Sequence, residues 1–149
     1  MRIDRNKKDL PLKTMIENQN GIILFDGVCN FCNTSVNTII RFDKKKYFRF
    51  APIQSETGKF LMNKFGLDPV KCDSVILVDD DKAYVFSSAI LNISRKLRGI
   101  YSLAFVFILI PRFIRDPIYK WIARNRYKWW GKKDSCMIPS QELRSRFLG

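Results

Sequence analysis

The amino-acid sequence predicts an α/β fold, a β-α-β-α-β-β-α core over residues 21–98 with an added C-terminal helical region. Three observations carry that prediction. The stretch Ile22–Val36, IILFDGVCNFCNTSV, reads as a short strand, an Asp-Gly turn and the start of a helix. Short apolar runs then alternate with helical periods up to Leu97. Beyond that point the pattern is helical and strongly basic.

Taken in order, residues 1–20 are polar, lack clear periodicity, and read as a lead-in with a short turn near Thr14–Asn18. Ile22–Phe25 is an apolar run suited to a buried strand. Phe31 to Phe42 reads as a helix with Val36, Ile39 and Ile40 on one face, ended by Asp43 and the Lys44–Lys46 run. Tyr47–Ala51 is a second strand, stopped by Pro52. Ser55 caps a helix to about Phe65, and Gly66 ends it. Ser74–Val78 and Ala83–Phe86 are strands three and four, joined by Asp79-Asp80-Asp81-Lys82 as a hairpin. Ser87 or Ser88 caps a helix from Ala89 to about Leu97. A helix joins the first two strands, so they should be parallel, and the last two antiparallel. This order is the thioredoxin-like one.

Ile100–Ile110, IYSLAFVFILI, is short of the roughly 20 residues a membrane span needs, so no transmembrane span is expected. It reads first as a buried helix and second as an interfacial one. Asp116-Pro117 looks like a helix start, because proline fits the first turn. Ile114, Ile118, Trp121, Ile122 and Asn125 fall on one face of that helix, and Ser140 caps a final helix to Phe147.

Length and composition set the frame. A chain of 149 residues with 46% hydrophobic content suits one folded domain and excludes a disordered one. The expected arrangement is a single domain over 1–149: lead-in 1–20, core 21–98, and helical extension 99–149 packed on the core. The net charge of +13 is uneven: residues 95–149 hold 13 Lys/Arg against 3 Asp/Glu. Such a segment can meet nucleic acid, anionic lipid or an acidic partner, or simply serve as a solubilising surface. Four cysteines are too few for a disulfide-stapled secreted scaffold. The N-terminus has no apolar signal segment, so a cytoplasmic, reducing location is expected.

Cys29 and Cys32 are spaced Cys-x-x-Cys at the start of the first helix. There, unpaired N–H groups and the helix dipole favour a thiolate, which is the reactive form. Cys29 is then the attacking thiol, and Cys32, one turn on, resolves the mixed disulfide. Asn30 and Phe31 lie between them. Asp26 is either a turn residue bonding backbone N–H near Val28, or a carboxylate that assists proton transfer. Cys72, Asp73 and Ser74 sit in the loop before the third strand and are candidate neighbours across the site.

Three other chemistries compete for these residues. The four cysteines match zinc's ligand number, but there is no histidine, and Cys72 and Cys136 are isolated. A haloacid-dehalogenase-type phosphatase would want a second aspartate two positions after Asp26, where Val28 stands. The pair could also be buried structural thiols in a basic module that binds membrane surfaces or nucleic acid.

The motifs ILFDGVCNFC, FRFAPIQS, DSVILV, ARNRYKWWGKKDSC and the closing RSRFL resemble those of the DCC family of thiol–disulfide oxidoreductases. Asp26, Cys29 and Cys32 match the residues that give that family its name. The resemblance runs from about Ile22 to Leu148. It implies a thioredoxin-like fold, disulfide reduction or exchange, and an Arg124–Cys136 segment packed near the core. One departure from thioredoxins proper is the cis-proline they carry before the third strand: Asp73-Ser74 stand near that place here. The expected partners are a disulfide-containing protein or small thiol substrate and a thiol electron donor, with no cofactor. A peripheral contact with an anionic surface through the basic C-terminal third is also expected.

Overall fold

The computed structural model describes Thr14, Ile16 and residues 21–72, 75–132, 140–141 and 143–148. Its elements are β1 (Ile22–Phe25), α1 (Asn30–Phe42), β2 (Arg49–Pro52), α2 (Glu56–Lys64), β3 (Ile76–Asp79), β4 (Lys82–Tyr84), α3 (Phe86–Lys96), α4 (Ile100–Leu103) and α5 (Arg112–Trp130). A 3-10 stretch, Ala104–Leu109, links α4 to α5, and a 3-10 turn forms at Arg144–Arg146.

The four strands form one sheet in the order β2-β1-β3-β4. β1 runs parallel to β2 and antiparallel to β3, and β3 and β4 form the antiparallel hairpin. This is the thioredoxin-like arrangement the sequence predicts. All four residues of β1 are buried, because it is an inner strand covered on both faces. Ile23 and Phe25 pack with Val36 and Ile39 of α1 and Ala89 and Ile93 of α3. Ile22 and Leu24 point the other way, to Leu61 and Met62 of α2. Burying the wrong set would require a one-residue slip, which both faces forbid.

The ends of the elements follow local chemistry. Ser55 caps α2, its Oγ accepting from Gly58 N at 3.1 Å, and Gly66 just beyond the helix takes φ +62°. Gly58 is required for a separate reason. A Cβ there would lie 2.2 Å from the Pro52 carbonyl oxygen and 2.8 Å from Ile53 Cα. Those are backbone atoms of the β2 exit and cannot swing aside. Gly58→Ala should therefore lower stability by about 1–3 kcal/mol despite alanine's better helix propensity, measured by urea unfolding. The β3–β4 hairpin turns on Asp80 and Asp81, both with positive φ, as a two-residue turn of matching twist demands. Pro52 is the last residue of β2 and not its stop; β2 borders the sheet, where proline is tolerated.

Other boundaries differ from expectation. α3 starts at Phe86, so Ser87 and Ser88 lie inside it and neither caps it. Their hydroxyls instead meet α5: Ser87 Oγ donates to Asp116, and Arg115 Nη2 donates to Ser88 Oγ at 3.3 Å. α5 starts at Arg112 after Pro111, which leaves Asp116-Pro117 within the helix. The N–H that Pro117 lacks would have bonded the Phe113 carbonyl, and Phe113 is exposed, so solvent can serve it. The face of α5 that packs inward is Arg115, Tyr119, Ile122 and Arg126, against α1 and α3. The stripe Ile114, Ile118, Trp121 faces outward.

The Ile100–Ile110 run is not a buried helix. It makes one short helix and a 3-10 stretch in which no residue is buried. The final helix is only the 3-10 turn Arg144–Arg146. The chain there prefers the sheet: Leu148 N donates to Phe50 O at 2.8 Å, and Phe147 packs on Phe25 and Phe50. Arg146, buried, pairs with Asp43 and donates to Phe48 O. In the lead-in, Thr14 and Ile16 are helical, and Ile16 joins the α2-side core.

Candidate active site

β1 ends at Phe25, and its next residue, Asp26, starts the turn into α1. Asp26 is buried, and each of its carboxylate oxygens is engaged. Oδ1 accepts from Val28 N at 3.2 Å and Gln54 Nε2 at 2.9 Å. Oδ2 accepts from the Tyr127 hydroxyl and from Arg126 Nη2 at 3.5 Å. The turn role read from the sequence is present, and the same carboxylate also holds α5 in place.

Cys29 is the N-cap of α1, and its Sγ accepts from Cys32 N at 3.3 Å. The two thiols are not bonded to one another. Their electrostatics diverge. The Cys29 pKa falls to about 6, chiefly through the hydrogen bond from the Cys32 thiol. The Cys32 backbone N–H and the Arg126 guanidinium add to the fall, while burial and Asp26 oppose it. The Cys32 thiol is pushed upward by the same hydrogen bond, by burial and by the charge on Cys29. One proton is thus held on Cys32 in favour of a thiolate at Cys29.

The α5 helix closes over this pair. Arg126 is 1% exposed, beside Asp26, with its guanidinium over the Tyr127 ring. Its Nη2 also donates to the Tyr127 hydroxyl at 3.0 Å. Burial, and then the bond to Asp26, push the Tyr127 phenol up to about 12, so it remains a donor. Asn30 Nδ2 donates to the Trp130 carbonyl at 3.0 Å, and the Phe31 ring lies 4.6 Å from that of Trp130. Gly131, at φ +79°, ends α5 and turns the chain so that Lys132 bridges to Cys29 as an isolated antiparallel pair. Cys29 is fully covered as a result.

Two spaces flank the pair. A cleft of about 490 Å³ runs past Asp26, Val28, Gln54, Tyr127 and Lys132. An apolar cavity of about 430 Å³ lies between α1, α3 and α5, with Cys32, Phe31 and Arg126 among its walls. Cys72 is buried in the α2-side core with Ile22 and Leu24. Asp73, Ser74 and Cys136 lie outside the described residues. Among the described residues, no three His, Cys, Asp or Glu side chains gather as metal ligands.

Against families of known proteins, residues 23–132 match the DCC1-like thiol–disulfide oxidoreductases. The chain belongs to this family. Within it, the chain is similar to the uncharacterized protein YuxK of Bacillus subtilis, at 44% identity over 129 residues, 87% of this chain and 94% of that one. It is also similar to the chloroplastic DCC family protein At1g52590 of Arabidopsis thaliana, at 40% identity over 123 residues, 82% and 72% of the two chains. No solved structure matches significantly. Asp26, Cys29 and Cys32 of this DCC1-like chain come together as the sequence reading expected, joined by Asn30 and Phe31. Gln54 and Arg126, which bond Asp26, are not singled out by the sequence, and Tyr127 is read there only as one of four aromatics, with Trp121, Trp129 and Trp130, that could supply a lid or partner surface. Gln54, Arg126 and Tyr127 lie inside the stretches FRFAPIQS and ARNRYKWWGKKDSC, and their place in those family motifs is the available signal. No helix among the described residues is long and apolar enough to cross a membrane.

Proposed function

We propose that this chain exchanges disulfides through Cys29 and Cys32, with Cys29 attacking. The observation that carries the reading is the Cys29 sulfur at the N-cap of α1, receiving the Cys32 N–H and holding a pKa of about 6. The Cys29 thiolate attacks one sulfur of a partner disulfide, forming a mixed disulfide and expelling the other sulfur as a thiolate. Cys32 then loses its proton and attacks Cys29 Sγ. The mixed disulfide breaks, the partner leaves with two thiols, and Cys29–Cys32 closes as a disulfide. Two electrons pass to the partner. A dithiol donor returns them, in keeping with a reducing, cytoplasmic setting and with no cofactor.

The substrate is a protein disulfide or a small disulfide that reaches Cys29 along the cleft beside Asp26 and Gln54. Because Lys132 covers Cys29, the Trp130–Lys132 segment lifts when a partner engages, pivoting at Gly131. Titration of the full chain against dithiothreitol or glutathione buffers tests the reading. One reversible two-electron couple assigned to Cys29–Cys32 is expected. If the pair stays reduced across oxidising buffers, or closes irreversibly, the reading fails.

A further inference from the structure

We propose that the protein docks on an anionic lipid surface through the Ala104–Leu109 stretch and the outer face of α5. Among the described residues, every exposed large hydrophobic side chain except Val70 lies between Ile100 and Trp130. Leu109 is 81% exposed, Phe113 76% and Leu103 65%. Along α5, Ile114, Ile118, Trp121 and Trp129 follow the helical period and form one outward stripe about 22 Å long. The rings of Trp121, Trp129 and Trp130 contact one another in series.

A second stripe adjoins the first. Lys120, Arg124 and Lys128 recur every four residues and are exposed. Arg95, Arg98 and Arg112 stand exposed near the other end of the patch. An apolar stripe with tryptophans, bordered by cations, is the layout of a helix lying in a lipid interface. No described helix is fit to cross the bilayer, so the chain would lie on it.

Charge selects the occupant. Arg95, Arg98, Arg112, Lys120, Arg124 and Lys128 stand exposed beside the patch, so two copies meeting through this face would repel. Single-stranded nucleic acid would use the cations and the tryptophans. It would leave Ile100, Leu103, Val106 and Leu109 in water. A bilayer with anionic headgroups satisfies both stripes at once. The patch ends at Trp130, which packs on Phe31 between the two cysteines. Docking therefore sets the Cys29–Cys32 pair beside the membrane, and partners carried by membranes meet it there. The docking stands independently of the exchange reading; only this last consequence rests on it.

Co-sedimentation of the full chain with phosphatidylcholine vesicles, with and without phosphatidylglycerol, tests the proposal. The expected result is binding to the anionic vesicles at least tenfold tighter than to the neutral ones, weakening as salt rises. Tryptophan emission should shift to the blue on binding. Leu109→Glu and Ile118→Glu, at exposed positions that leave the core intact, should each weaken binding about tenfold or more. Their circular dichroism and their Cys29–Cys32 redox titration should match the parent, which separates docking from disulfide exchange. Absence of binding to anionic vesicles overturns the proposal. So does binding unaffected by either substitution, self-association through this face in place of vesicle binding, or tighter binding to single-stranded nucleic acid that Leu109→Glu removes.

Discussion

Cys32→Ser should turn the protein into a trap for its disulfide partner, and Cys29→Ser should reduce exchange to the uncatalysed background. The two outcomes differ because the thiols hold different positions. Cys29 is the sulfur that receives the helix N-terminus and carries the lowered pKa of about 6. With a serine at 32, the mixed disulfide on Cys29 forms but has no resolving thiol. With a serine at 29, the remaining thiol is Cys32, which lies past the N-cap inside α1 and which burial still pushes toward the protonated form. The pH dependence has a definite sign. A lowered pKa means the reactive thiolate is present above about pH 6 and is lost as pH falls through that value. Iodoacetamide labelling of Cys29 should therefore rise through pH 6 and level off above about pH 7. In Cys32→Ser a hydroxyl, a stronger donor than a thiol, stands beside Cys29 and the backbone N–H of residue 32 remains, so the midpoint should stay near 6. Mass spectrometry of trapped adducts checks the assignment. Adducts on Cys32, or exchange surviving in Cys29→Ser, would remove Cys29 as nucleophile.

The core was legible because its signals are local. A four-residue apolar run before Asp-Gly, two cysteines and a 3.6 period left few alternatives for β1 and α1. Ser55 and Gly66 marked α2 from both ends, and the structure uses both. The C-terminal third was harder because its elements are fixed by distant contacts. Two interleaved stripes on α5 satisfy the helical period. The one that packs contains Arg115 and Arg126, which a hydrophobicity reading assigns to solvent. Asp26, a hundred residues earlier, gives Arg126 a reason to be inside. Likewise Ser140–Phe147 reads as a helix until the open edge of β2 is known to be beside it. The apolar content of Ile100–Ile110 implied burial, yet the sheet's faces were already filled by α1, α2 and α3. The cysteines announced the site. The residues that cover and polarise it came from a segment whose place the local pattern could not supply.

Arg126→Met should cost about 3–5 kcal/mol of stability, because it leaves the buried Asp26 carboxylate without its cation. For a chain of this size that is a fall of roughly 6–20 °C in Tm, measurable by thermal unfolding. Val28 N, Gln54 Nε2 and Tyr127 would still bond to Asp26, but as neutral donors. The substitution should act on the thiols too. The guanidinium lowers the Cys29 pKa, so its loss should raise the midpoint of the alkylation profile above 6. Asp26 pushes the same thiol the other way. Arg126→Met combined with Asp26→Asn should thus recover part of the stability and bring the midpoint back down. A guanidinium serving only as packing would give the stability loss without the shift in midpoint. A shift in both quantities, reversed together by the second substitution, identifies Arg126 and Asp26 as one charge pair that holds α5 over the cysteines and sets the reactivity of Cys29. If Arg126→Met unfolds at the parent temperature and alkylates with the parent profile, that coupling is absent.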